Sequence, residues 1–128
     1  MEENKIRQRN EIPVEDTWAL EDLYASDAAW EAELATISQD QTYMVSFAGR
    51  LNESAETLYA YLERMEQVNA KGELLANYCM RKSDEDTRNA TYQAMVGKFM
   101  SVFVGFGAAT AFETPELMAI TDEQLDAF

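Results

Sequence analysis

Apolar residues in this chain recur at spacings of three and four, the period of a helix buried on one side. Trp30, Leu34 and Ile37 make the first stripe, after Ser26 or Asp27, either of which can cap a helix start. Tyr43, Met44 and Phe47 extend this helix or form a second short one, with Gly49 as a stop. Leu58, Leu62, Met65, Val68, Leu75 and Cys79 repeat along one face of a longer helix capped by Ser54. Gly72 lies on that face, where the missing side chain lets another helix approach. Arg81 and Lys82 suit the negative end of this helix. Ser83-Asp84-Glu85-Asp86 then supplies caps and acids for a new helix start, so the charge reversal predicts a helix–loop–helix hairpin.

The third long helix is expected from Thr87 to Phe112. Its first part is amphipathic through Tyr92, Met95, Val96 and Phe99, and its second part is apolar on nearly every side. From Met95 to Phe112 there are 18 residues and one charge, Lys98. That length suits a membrane span. The flanks are acidic rather than rich in Lys and Arg, so a buried helix is expected instead. The other helices can cover only part of so apolar a surface. A second subunit or a larger parent chain is therefore expected to pack on the Phe99–Phe112 helix. Thr114-Pro115 reads as a cap and first-turn proline. Thr121 with Gln124 reads as a capping box that opens a last helix over Leu125 and Phe128. A stop at Phe128, two turns into that element, suggests a piece of a longer chain.

Residues 1–12 are polar, and Pro13 disfavours helix at Ile12. From Pro13 to Tyr24 the pattern gives an arm with one helical turn, pinned to the body by Trp18. The fold class is all-α: an antiparallel bundle or hairpin of three or more helices. Residues 1–25 form an extended arm and residues 26–128 a helical lobe.

Composition narrows the function classes. The 128 residues suit one domain, 47% are hydrophobic, and 5 Gly and 2 Pro leave little turn material for an all-β fold. The formal net charge is −14, and residues 11–40 carry nine acids and no Lys or Arg. Such a field repels phosphate backbones and anionic membranes, so neither nucleic acid nor membrane is an expected partner. Cys79 is the one cysteine, which excludes an intrachain disulfide and fits a reducing compartment. The first residues have mixed charge and no apolar run, unlike a signal peptide. A cytoplasmic location is expected.

The chain has no histidine. That removes the HExxH zinc arrangement and the Ser-His-Asp and Cys-His sets. Cys79 sits on an apolar helix face and reads as a small core residue. Asp84-x-Asp86 begins like a calcium loop, but Arg88 stands at the third ligand position and Asn89 replaces the turn glycine. Gly105-Phe-Gly107 lies inside an apolar run without a phosphate-binding context. Tyr59, Tyr61, Tyr78 and Tyr92 line the two long helices. They read as half-buried core residues with wet hydroxyls rather than a peptide groove. No catalytic, cofactor-binding or metal-ligating residue is assigned.

Three segments carry a resemblance. They are Arg9 to Tyr24 with Ser26 to Glu31, then Gly49-Arg50-Leu51 leading into Glu53 to Leu58, then Ser83 to Asn89 with Tyr92 to Met95. In this order and spacing they resemble the N-terminal region of oligoendopeptidase F, a bacterial zinc peptidase related to thimet oligopeptidase. The resemblance implies a non-catalytic helical lobe that precedes a large catalytic domain and helps wall a channel for short peptides. It also implies zinc in the parent, bound by an HExxH helix and a downstream Glu beyond the residues present here. The expected partners are that catalytic domain or a second subunit, and short peptides in the parent. A stand-alone helical interaction or dimerisation module is the alternative.

Overall fold

The computed structural model describes residues 5–128; the start of the polar lead-in, residues 1–4, lies outside them. The helices are α1 (Asp27–Ala35), α2 (Ile37–Val45), α3 (Ala55–Glu85), α4 (Ala90–Ala109), α5 (Glu113–Met118) and α6 (Asp122–Ala127). Three single 3-10 turns precede them, at Arg9–Glu11, Val14–Asp16 and Leu20–Asp22. The described residues contain no strand.

Capping explains most helix starts. Ser26 Oγ accepts from the Ala29 amide at 3.1 Å, and Ser54 Oγ from the Thr57 amide at 3.1 Å. Each satisfies an amide that has no partner within its helix. The Thr121 and Gln124 side chains complete a capping box before α6. α1 and α2 form two short helices meeting at Thr36, whose own backbone stays helical. α2 ends at Val45, four residues before Gly49, whose φ of 79° takes the turn that leads toward Leu51.

Two helix boundaries depart from the pattern. α3 runs past Arg81 and Lys82 to Glu85, with Arg81 paired to Asp84 one turn on at 3.1 Å. The acids are therefore the end of α3 rather than the start of α4. Asn89 caps α4 by accepting from the Thr91 and Tyr92 amides at 3.0 and 3.4 Å. Asp86 instead holds Arg88, Oδ1 to Nε, at 2.9 Å. At the other end, α4 stops at Ala109 and α5 begins at Glu113, without a Thr114 cap. Phe112 already has helical angles, so the chain turns directly into α5. Pro115 falls within its first turn, where a missing N–H costs little.

Paired contacts show that α1 and α2 run antiparallel to α3, and α3 antiparallel to α4. Asp27 meets Tyr78, Trp30 meets Leu75, Asp40 meets Lys71 and Phe47 meets Tyr61. Phe112 meets Tyr61, Phe103 meets Gly72, and Tyr92 shares Lys82 with Tyr78. The result is a bundle in which α1–α2, α3 and α4 pack on one another, α3 running opposite to the other two. Its core holds Trp30, Leu34, Ile37, Met44, Leu51, Tyr61, Val68, Leu75 and Cys79, with Met95, Phe99 and Phe106 from α4. The α3–α4 approach is closest at Gly72, where a Cβ would lie 2.8 Å from Phe103 Cε1. Leu62, expected on the buried stripe of α3, is exposed, because the stripe drifts around a helix as long as α3.

The arm crosses the end of α3. Arg9 Nη2 pairs with Glu85 at 2.9 Å, and Arg88 donates to Gln8 Oε1 at 2.8 Å. Trp18 does not pin it: that side chain is 80% exposed, whereas Leu20 is buried and Tyr24 stacks edge-on against Tyr78 at 5.5 Å. The reversal follows from the 3-10 turn at Leu20–Asp22, which aims Leu20 and Leu23 at the body.

Candidate interaction surface

The polar groups inside the bundle are committed to holding it together. The Tyr61 hydroxyl donates to Glu113 Oε2 at 2.7 Å, and the Tyr78 hydroxyl to Asp27 Oδ1 at 2.6 Å. Burial, and then these carboxylate partners, push both phenols well above their ordinary range. Burial and the nearby Glu33 charge push Tyr24 up to about 12. Tyr61 and Tyr78 are fully buried rather than half-buried, while Tyr59 is exposed and Tyr92 lies between. Glu116 reaches the turn before α3 and accepts from the Gly49 amide at 2.8 Å and the Leu51 amide at 3.4 Å. Asp40 is buried, and Lys71 at 2.6 Å and Arg64 at 3.2 Å neutralise it.

These arrangements tie helices together. Cys79 is buried, and burial pushes its thiol up to about 11, so the nucleophilic thiolate is suppressed at neutral pH. Among the described residues no three His, Cys, Asp or Glu side chains converge to hold a metal ion. The donor set agrees: with no histidine and a single buried cysteine, the chain does not fit the zinc centre that the resemblance implies for the parent.

The outside of α4 is the feature left without an internal role. The phenylalanines of the Phe99–Phe112 stretch turn inward. Phe99 and Phe106 are buried, Phe99 stacks on Phe103 at 4.7 Å, and Phe112 meets Tyr61. The aromatic side is therefore consumed by the bundle, and a partner would meet the opposite side. That side exposes Ala94, Gly97, Met100, Ser101, Val104, Gly105, Ala108 and Ala111. Val104 is 66% exposed and Met100 48%. Lys98, the single charge on the stretch, pairs with Glu31 of α1.

An 18-residue window within Ala90–Met118 has a mean hydropathy of 1.5, yet only 22% of it is buried. By length and composition alone this stretch could cross a membrane. The other helices cover only part of this stretch, as its apolar pattern predicted: one face is buried and the other is bare. Beside the bare face runs a groove of about 430 Å³ between α1–α2 and α4, lined by Leu34, Ile37, Gln41, Ser101, Val102 and Gly105 among others. A second groove of about 410 Å³ lies between the arm and α3, against Trp18, Leu23, Leu74 and Arg81.

The described residues thus form an all-α bundle with one bare apolar side. Comparison finds it similar, over about a fifth of their length, to bacterial oligopeptidases named PepF and oligoendopeptidase F. It is 33% identical over 125 residues to oligopeptidase PepF of Bacillus subtilis, an alignment covering 98% of this chain and 19% of that protein. It is 38% identical over 118 residues to the plasmid-borne oligoendopeptidase F of Lactococcus lactis subsp. cremoris, covering 91% and 20%. It is 27% identical over 120 residues to group B oligopeptidase PepB of Streptococcus agalactiae. The chain thus spans about one-fifth of the length of the curated relatives it matches. No family model matches it, and no solved structure does.

Proposed function

We propose that this chain is the N-terminal helical lobe of an oligoendopeptidase F-like zinc peptidase, contributing shape rather than chemistry. One observation carries the reading: the similarity runs through nearly all of this chain but through only a fifth of each relative. On this reading residues 26–128 form the lobe and residues 1–25 its arm. The lobe supplies no catalytic, cofactor-binding or metal-ligating residue, helps wall the channel, and admits short peptides in the cytoplasm. The zinc ligands belong to the remaining part of the peptidase. The bare side of α4 packs on the catalytic domain, which removes its apolar surface from water. A membrane is a poorer cover for it, because the rest of the bundle brings a formal charge of −14 to an anionic surface.

The test is a chimera in which this chain replaces the aligned fifth of the B. subtilis oligopeptidase. Chelator-sensitive hydrolysis of short peptides by the chimera, and none by the 128-residue chain with added zinc, is the expected result. Zinc-dependent turnover by the chain alone, or a chimera without activity, would sink the reading. A second reading, a stand-alone dimerisation module, draws on the same bare face. A stable dimer of the chain at low micromolar concentration by light scattering would favour it.

A further inference from the structure

We infer that the outer face of α4 is a seam built for one closely approaching α-helix, supplied by the part of the peptidase chain that this sequence does not cover. The inference rests on the functional reading above and adds the identity of the contact.

The glycines carry the argument. Gly72 has an internal reason to lack a side chain, because a Cβ there would collide with Phe103. Gly97, Gly105 and Gly107 have none: among the described residues, a Cβ built on each meets nothing within 4 Å. Glycine lowers helix stability, so three in one helix with no internal contact to protect call for a neighbour from outside. Gly97, Ser101 and Gly105 lie four residues apart, with Ala109 next, and form a low ridge along the helix. Ridges of this spacing seat in the grooves of a second helix, and small residues let the two backbones approach. Met100 and Val104 flank the ridge with exposed apolar surface. The groove of about 430 Å³ beside Ser101 and Gly105 would take large side chains from the incoming helix.

The chemistry selects the occupant. The facing side of that helix must be uncharged, because Lys98 is already paired with Glu31 and the seam offers no other charge. A second copy of this chain would bring another −14 formal charges alongside. The relatives carry about four-fifths of their length outside the matched segment, ample chain for such a helix.

The experiment places Gly97→Leu with Gly105→Leu in both the 128-residue chain and the B. subtilis chimera. In the chain alone the pair should leave the thermal midpoint unchanged or higher, and Gly105→Ala alone should raise it by roughly 3 °C. In the chimera the leucine pair should lower the midpoint by roughly 5 °C or more and peptide hydrolysis at least about tenfold. A wild-type chimera that is inactive or unfolded counts against the functional reading and this seam together. An active chimera indifferent to the leucine pair overturns the seam alone. Destabilisation of the chain by the same pair overturns the open-face premise. A dimer of the chain that Gly105→Leu disperses overturns the choice of occupant.

Discussion

Phe103, on the inner side of α4 with Phe99 and Phe106, lies so close to α3 that a Cβ at Gly72 would stand 2.8 Å from its ring. A half-turn away, Gly97 and Gly105 face open space. The two sides share a helix and an apolar character, yet only the inner one is used within this chain. A helix glycine costs about 0.5–1 kcal/mol relative to alanine. At Gly72 that cost is offset by the packing it permits. On the outer side nothing among the described residues offsets it. The difference teaches that apolar character identifies a face to be covered, while the room around each glycine tells whether the cover is already present.

The comparison breaks most readily at the core. Trp30 is fully buried and its Nε1 donates to the Leu75 carbonyl at 2.8 Å. Trp30→Ala should cost about 3–5 kcal/mol by denaturant unfolding, through the cavity it leaves. A loss below about 1 kcal/mol would mean the inner packing is loose. Gly72→Ala should cost about 1–3 kcal/mol, because Phe103 must move from the seam; a stabilised variant would erase the contrast with the outer glycines. Tyr61→Phe should cost about 1.5 kcal/mol by removing the bond to Glu113.

Alkaline pH probes the same inner groups. The unfolded chain loses phenolic protons near the ordinary value of about 10. The folded chain retains those of Tyr61 and Tyr78 to still higher pH, and that of Tyr24 to about 12. Between those limits the unfolded state binds fewer protons, so stability is full below about pH 10 and falls as pH rises. Tyr61→Phe should flatten that fall; an unchanged slope would exclude Tyr61 from it. The smallest effect belongs outside. Val104→Asp should change the stability of the chain by no more than about 0.5 kcal/mol in the same unfolding assay, since the side chain stays in water.

The helical pattern made the class legible, and the Ser26, Ser54 and Thr121 caps identified three helix starts. Boundaries failed where one residue type can serve two ends. Ser83 to Asp86 can open a helix or close one, and here Ser83 to Glu85 form the last turn of α3 with Asp86 as its C-cap. Thr114-Pro115 is a cap signal, but Phe112 had already entered helical geometry. Trp18 and Leu20 were equally apolar in the sequence, and the direction of a single 3-10 turn chose Leu20. The bare surface was legible only as a stretch. Periodicity located Phe99 to Phe112 as too apolar for a small bundle, but its aromatic residues are the inward ones.

The sequence by itself determined the local matters: an all-α chain, its long helices, the absence of a histidine-based site, and an excess of apolar surface in the third long helix. These follow from spacing and residue type, which act over one or two turns. Only the tertiary structure decided which side of α4 is spent and which is bare. That choice depends on how α1, α2 and α3 divide the space around it, and the contact between Gly72 and Phe103 joins residues 31 positions apart in the chain.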